Sequence, residues 1–272
     1  MNKYLFTISL LALFFFACQP KRDKSSLKPS ESGNNMLSTS EEEEGWELLF
    51  DGKSFKGWRT LGRERVLEEH WKIDNGTIRK LNSGEIPSLP DGQPLVGGDL
   101  ITIDSFVNYE LYFEWKISKK GNTGLKYNVS EEMSQKYGSK YSALGFEYQL
   151  LDDKDSIYAD KLKPSQYTGG LYDLVEPQNT VVKPVGEYNT SRIVIDGNHV
   201  EHWLNSRKVL TYELGSRHLD SLFQASKYRD YPHFLEKRKG HIVLQDHKDD
   251  AWFRNVKIRK IIITPKEPNK IN

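Results

Sequence analysis

The stretch from Tyr109 to Ile117 constrains the fold most, because large apolar residues recur at every second position along it. Tyr109, Phe113 and Trp115 belong to the apolar set, and most of the intervening residues are polar. A period of two is typical of a β-strand with one buried face. The aromatic content of that face predicts a core made by packing one sheet on another.

Further strands and tight turns follow at short intervals. Phe146–Leu151 alternates in the same way, and Asp196-Gly197-Asn198 and Asn205-Ser206 are turn sequences between apolar runs. Trp71–Ile78 contains a similar hairpin around Asn75-Gly76. Short strands at this spacing predict an all-β, antiparallel sandwich. Only the segment from Leu219 to Lys237 has helical spacing, so we expect one short helical insertion.

The N-terminus predicts export. Met1-Asn2-Lys3 precedes an apolar run up to Ala17, and Cys18 follows. The run is short for a membrane span, so residues 1–18 are interpreted as a lipoprotein signal peptide that ends at the lipidated Cys18. Residues 19–44 are polar and charged and are expected to form a disordered tether. Residues 45–263 form the predicted folded domain, and 264–272 a C-terminal tail.

Composition excludes several classes of protein. Cys18 is the only cysteine, so the exported domain has no disulfide and no thiol nucleophile. The 39 lysines and arginines balance 38 acidic residues, and we therefore expect no nucleic-acid partner. The sequence also contains no HExxH, GxSxG, P-loop or EF-hand motif, so serine hydrolysis and phosphoryl transfer are not supported.

Two strand segments carry side chains suited to chemistry. Glu147 and Gln149 share one face of their strand, and Gln245 and His247 share one face of another, from which Asp246 points away. Histidine suits proton transfer near neutral pH. The alternation alone leaves two alternatives open, a solvent-exposed sheet face and a ligand-binding groove. Arg254 is suited either to an ion pair with a neighbouring strand or to a ligand oxygen.

The chain resembles the 3-keto-disaccharide hydrolase family, also described as 3-keto-glucoside lyase/hydratase domains. The resemblance covers about residues 46 to 261. Its landmarks occur in order along the chain: Trp46–Trp58, Trp71–Gly76, Gly121–Tyr127, Gly145–Asp152, Thr168–Tyr172, Gly186–Asn189, His202–Asn205 and Gly240–Ile258. Departures are mild, such as Thr123 where Ser is frequent and Ser206 where a turn Gly is usual.

The resemblance implies a concanavalin-like jelly-roll β-sandwich with the ligand in a concave sheet face, which favours the groove alternative. It implies cleavage of 3-keto-glucosides by removal of the C2 proton, loss of the C1 substituent and hydration of the glycal. Glu147 and His247 are the expected catalytic residues. The expected substrate-binding residues are Asn122, Tyr127, Gln149, Asp152, Tyr172, Gln245 and Arg254.

Several questions stay open at this stage. No cofactor is required by the sequence, but a divalent metal ion held by His247, Glu147 and Asp152 is an alternative way to polarise the ketone. A non-catalytic carbohydrate-binding module or a conventional glycoside hydrolase would use the same fold. The expected partners are a carbohydrate and, through the lipid on Cys18, a membrane. The expected location is the cell envelope, on the periplasmic side.

Overall fold

The computed structural model describes residues 33–81, 97–138 and 142–262. Within these residues two antiparallel sheets pack face to face. The larger sheet contains β1 (Trp46–Leu48), β3 (Trp71–Asp74), β4 (Thr77–Lys80), β6 (Tyr109–Ile117), β9 (Asn189–Asp196), β10 (His199–Leu204), β11 (Arg207–Glu213) and β13 (Ala251–Lys260). The smaller sheet contains β2 (Trp58–Thr60), β5 (Leu100–Thr102), β7 (Asn122–Val129), β8 (Phe146–Leu151) and β12 (His241–Leu244).

Strand order shows how the chain crosses between the sheets. The larger sheet runs β11-β10-β9-β6-β13-β4-β3, with β1 paired to β13, and the smaller one runs β2-β5-β12-β7-β8. Strands adjacent in sequence, such as β5 and β6, therefore lie in different sheets. This connectivity is that of a jelly-roll sandwich, and it confirms the predicted fold class.

The predicted hairpins are confirmed. Asn75 and Gly76 both have positive φ, 49° and 73°, which is the backbone of a type I′ turn between β3 and β4. Asn205 and Ser206 have φ of 46° and 65° between β10 and β11, so Ser206 adopts the left-handed conformation that glycine would take more easily.

The core lies between the sheets and is rich in aromatic residues. Its largest fully buried side chains include Trp71, Trp115, Tyr127, Tyr148, Phe113 and Phe253. The alternating residues of β6 supply one wall of this core, as the sequence predicted. Because burying aromatic surface is the main favourable term in folding, these residues fix the register of both sheets.

Three short α-helices accompany the strands in the described part of the chain. The predicted helical insertion is present as α3 (Arg217–Gln224). The sequence analysis did not predict α1 (Thr39–Glu43) or α2 (Glu131–Tyr137). Each of the three begins at a serine whose hydroxyl accepts a backbone N–H of the first turn. No helix in residues 33–81, 97–138 or 142–262 is long and apolar enough to cross a bilayer.

The predicted tether ends earlier than residue 44. The Asn35 backbone N–H donates to Asn255 Oδ1 at 2.5 Å, and its side-chain oxygen accepts from the Asn255 N–H at 2.9 Å. The buried Glu41 forms an ion pair with Lys257 on β13. Residues 33–44 therefore pack on the larger sheet, and their assignment to a tether was wrong. Residues 1–32 and 263–272, including Cys18, lie outside the described residues.

Candidate functional site

A row of polar residues crosses three strands of the smaller sheet, on the face directed away from the larger sheet. Glu147 of β8 is paired with Lys126 of β7, and Gln149 with Gly124. The Gln245 backbone N–H, just past β12, donates to the Gly124 carbonyl at 2.9 Å. We call Asn122, Lys126, Glu147, Gln149 and Gln245 the polar face. The structure thus brings together Glu147, Gln149, Gln245 and Asn122, four of the residues named from the sequence.

The absence of a side chain at Gly124 determines where the Glu147 carboxylate lies. A Cβ added at Gly124 would be 2.4 Å from Glu147 Oε1 and 2.7 Å from its Cγ. The Glu147 side chain therefore lies across β7 at this glycine, between Gln149 on one side and Gln245 on the other. A close backbone approach of this kind is a common reason for glycine inside a strand.

The environment of Glu147 favours its protonated form. Burial raises the pKa of the Glu147 carboxyl, while the charges of Lys126 and Lys227 and a hydrogen bond from Gln245 oppose that change. The negative charge of Asp99 adds to the increase. A carboxyl whose pKa is raised towards neutrality can act as a general acid or base near neutral pH.

Two tyrosines lie near the polar face, one of them packed in the core. The Tyr172 backbone N–H donates to the Glu147 carbonyl at 3.0 Å, so Tyr172 lies next to the strand that carries Glu147. The Lys227 Nζ lies 4.5 Å from the centroid of the Tyr172 ring. The neighbouring Tyr228 is buried, and its pKa is raised by burial and by the charge of Glu147. Tyrosine rings and polar tips are suited to a sugar, which has apolar faces and hydroxyl edges.

A buried carboxylate next to the polar face holds two basic side chains. Asp246 Oδ2 lies 2.6 Å from His70 Nδ1 and accepts the Gly98 N–H at 2.9 Å. Asp246 Oδ1 lies 2.8 Å from Lys80 Nζ. Burial lowers the pKa of Lys80 to about 8, and burial also lowers the pKa of His70. Asp246 therefore ties β4 and the end of β12 together.

A second buried carboxylate, that of Asp99, connects Asp246 to the polar face. Asp99 Oδ1 accepts the Asp246 N–H at 2.7 Å, and its Oδ2 lies 3.5 Å from Lys126 Nζ. Burial raises the pKa of Asp99, whereas the charges of Lys126 and His247 lower it. The predicted catalytic pair, Glu147 and His247, thus both interact electrostatically with Asp99. His247 is buried, with 7% of its surface exposed.

Three predicted substrate-binding residues do not lie on the polar face. Tyr127 faces the core, where its hydroxyl lies 2.6 Å from His202 Nε2 and 2.8 Å from the Tyr212 hydroxyl. It is wrong as a ligand contact because it alternates with Lys126 along β7 and so points to the opposite side. Arg254 lies on the larger sheet, where its Nε donates to Glu114 Oε2 at 2.8 Å.

Asp152 is also displaced from the polar face. It is five residues along the chain from Glu147, about 16 Å at the rise of an extended strand. Its Oδ2 accepts the Lys120 N–H at 3.0 Å in the turn before β7. Asp152 therefore cannot complete a metal site with Glu147 and His247, which the alternative of a divalent metal ion required. Among the described residues, no group of three or more His, Cys, Asp and Glu side chains is arranged to hold a metal ion.

Several residues of the site were not predicted from the sequence. Lys126 was detectable, since it shares the face of Asn122 and Gly124 by strand alternation. Lys227 and Tyr228 follow α3 and carry no local signal. His70, Lys80 and Asp99 come from separate segments, and only the folded chain brings them to Asp246.

Comparisons with known proteins agree with this architecture. The sequence profile of the 3-keto-alpha-glucoside-1,2-lyase-like domain matches residues 45–259. A curated protein of Bacteroides thetaiotaomicron, named 3-keto-disaccharide hydrolase, is 36% identical over 253 residues, which are 86% of this chain and 84% of the relative.

Solved structures extend the comparison. One from Parabacteroides distasonis, assigned by name to the glycosyl hydrolases, has a TM-score of 0.71 and 29% identity, covering 85% of this chain and 100% of the other. A second from the same species, with the same naming, has a TM-score of 0.57 at 24% identity, covering 79% and 99%, and supports the fold alone. The chain belongs to the 3-keto-alpha-glucoside-1,2-lyase-like domain family.

Proposed function

We propose that this protein is an enzyme that cleaves 3-keto-glycosides, with net hydrolysis of the glycosidic bond. The observation that carries the proposal is Glu147, a buried carboxyl of raised pKa that lies among Lys126, Gln149 and Gln245. Membership of the family and the name of the Bacteroides relative support a 3-keto-disaccharide as the substrate class.

The proposed chemistry is elimination followed by hydration. A ketone at C3 acidifies the hydrogen on C2, so a base can remove that proton and form an enolate. The enolate then expels the C1 substituent, whose oxygen takes a proton from an acid. Water adds across the resulting glycal, with its oxygen at C1 and a proton at C2. This route needs one base, one acid and positive charge near the enolate oxygen.

The residues of the site fit these three roles. Glu147 and His247 are together proposed to supply the base and the leaving-group acid. The positive charges of Lys126 and Lys227 are close enough to oppose the rise in the pKa of Glu147, and the same charges would stabilise an enolate. Because Lys126 also hydrogen-bonds the Ala143 carbonyl at 3.0 Å, its ammonium is held in place before the ligand arrives.

A pair of substrates tests the proposal. The purified protein is incubated with methyl 3-keto-glucoside and, separately, with methyl glucoside, and product is measured in D₂O at early times. We expect cleavage of the ketone only, with deuterium at C2 of the product. Cleavage of methyl glucoside without C2 exchange would indicate a conventional glycoside hydrolase. Binding without cleavage of either sugar would indicate a carbohydrate-binding module.

We also propose that Cys18 anchors the protein in the cell envelope. The short apolar run before Cys18 and the polar residues after it support a lipoprotein signal. A periplasmic position would place the domain where exported or imported glycosides pass. Membrane fractionation of a Cys18 variant tests this proposal.

A further inference from the structure

The orientation of the Gln149 amide follows from a chain of hydrogen bonds that starts at a backbone carbonyl. The Lys120 carbonyl can only accept, and it accepts from the Tyr158 hydroxyl at 3.1 Å. The Tyr158 oxygen is then free to accept from the Asn122 amide, whose hydrogen bond lowers the pKa of that phenol against the effect of burial. Asn122 Oδ1 in turn accepts from Gln149 Nε2 at 3.0 Å.

This chain leaves the Gln149 oxygen as the unpaired end of the amide within the part of the protein that the structure describes. Its Nε2 is committed to Asn122, so Oε1 is the atom that remains. That oxygen is buried and has no hydrogen-bond partner among the described residues, in a side chain that is 1% exposed. Buried polar atoms in native proteins are almost always paired, so an orphan of this kind calls for a ligand or an ordered water.

Gln245 repeats the arrangement on the other side of Glu147. The Gln245 side chain donates a hydrogen bond to the Glu147 carboxylate, since its effect is to oppose the rise in the pKa of that carboxyl. Its Oε1 is therefore also left without a partner in the described part of the chain, and it too is buried. Gln149 and Gln245 both pair with Gly124, so their Cα atoms are about 9–10 Å apart across three strands.

We propose that Gln149 and Gln245 are specificity-determining residues that require the ligand to donate two hydrogen bonds, one on each side of Glu147. The inference rests on the proposed function and adds the polarity of the substrate. Free hydroxyl groups of the sugar meet this requirement. The ketone oxygen cannot, since it only accepts, so it lies away from both glutamines and towards the cationic Lys126.

Deoxy sugars test this polarity. The 4-deoxy and 6-deoxy derivatives of methyl 3-keto-glucoside are compared with the parent in the wild type, Gln149→Met and Gln245→Met. We expect each glutamine to pair with one hydroxyl. Loss of that hydroxyl lowers kcat/KM of the wild type by about 10²-fold or more, because it leaves a buried acceptor unpaired.

The double-mutant cycle decides the result. For the matching pair, the glutamine substitution and the missing hydroxyl together cost little more than either alone. Losses that add up for every combination of variant and deoxy sugar would overturn the proposal. Equal kcat/KM values for the deoxy sugars and the parent sugar would also overturn it, and this result is expected if only an ordered water hydrogen-bonds the two glutamine oxygens. Gln178→Met, at an exposed position, is the matched control and should behave as wild type.

A binding measurement separates this proposal from the proposed function. Methyl glucoside and its 4-deoxy and 6-deoxy analogues are titrated calorimetrically into the same variants. If the 3-keto-glucoside is not cleaved but the loss of a hydroxyl weakens binding, the proposed function is wrong and the inference holds. If the 3-keto-glucoside is cleaved but the loss of a hydroxyl does not weaken binding, the proposed function holds and the inference is wrong. Neither cleavage nor binding of any sugar in the set rejects both.

Discussion

Replacing Gly124 by alanine should impair catalysis more than stability. The new Cβ would lie 2.4 Å from Glu147 Oε1, where ordinary van der Waals contact begins at 3.4 Å. The carboxylate must therefore move by about 1 Å, and a misplacement of that size typically costs about 10²-fold in rate. This loss corresponds to about 2.7 kcal/mol of activation free energy.

The effect of Gly124→Ala on stability should be no larger than its effect on the activation free energy. Overpacking costs about 1–3 kcal/mol. Removing a glycine from a strand interior returns about 0.5–1 kcal/mol, since Gly124 has no positive φ that alanine would strain. The net loss is at most about 2.5 kcal/mol, or a fall of at most about 5–10 °C in Tm for a domain of this size.

Gly121→Ala is the matched control for Gly124→Ala. Its Cβ would meet Ile117 Cβ at 2.7 Å and the Ser118 backbone oxygen at 2.8 Å, well away from Glu147. We expect a fall in Tm with kcat/KM per folded molecule unchanged. Both variants are assayed with methyl 3-keto-glucoside and melted by circular dichroism. A folded Gly124→Ala protein with wild-type kcat/KM would show that catalysis does not depend on the position of Glu147.

Three further predictions concern Glu147, Asn35 and Cys18. Because the pKa of Glu147 is raised above its ordinary 4.5, the folded state holds that proton more tightly, and this contribution to stability is lost as pH rises from 4.5 through the raised pKa. The Tm of Glu147→Gln should therefore fall less than that of wild type as pH rises above 4.5, while its rate falls about 10²- to 10⁴-fold. Asn35→Ala removes the two long-range hydrogen bonds of the Asn35 side chain, one with the Asn255 N–H and one with the Gly76 carbonyl, so unfolding scans should show a loss of about 1–3 kcal/mol, and an unchanged Tm would mean that residues 33–44 do not pack on the sheet. Cys18→Ser should move the protein from the membrane to the soluble fraction, since each buried methylene of the lipid contributes about 0.8 kcal/mol; a variant that stays with membranes would contradict the lipoprotein proposal.

The fold was accessible from sequence because its main signal is local. Alternation in β6 and β8 and the positive-φ turns at Asn75 and Asn205 each depend on a few neighbouring residues. The same rule also separates the faces of β7, and its strict application would have excluded Tyr127 and included Lys126. That error came from treating a matched segment as a unit instead of assigning each side chain to a face.

The charges around the site were not accessible in this way. Asp246 interacts with His70 and Lys80, which lie more than 160 residues away along the chain, and nothing in the local pattern specifies these pairs. The packing of residues 33–44 was not predictable for the same reason, because it depends on residues far along the chain. Their composition is that of a flexible segment, yet Glu41 is complementary to Lys257, a residue that only the folded sheet places beneath it.

The two outer faces of the sandwich differ in how well their polar side chains are paired. On the larger sheet the charges are matched across strands: Arg254 pairs with Glu114, and both Arg192 and Arg259 pair with Glu110. Such pairs satisfy both partners and stabilise a sheet face without needing a ligand. The polar face of the smaller sheet instead keeps Glu147 at a raised pKa and leaves the oxygens of Gln149 and Gln245 unpaired within the described residues. Unfavourable groups of this kind reduce stability unless something binds them, so the face that has not been optimised for stability is the one expected to bind the substrate.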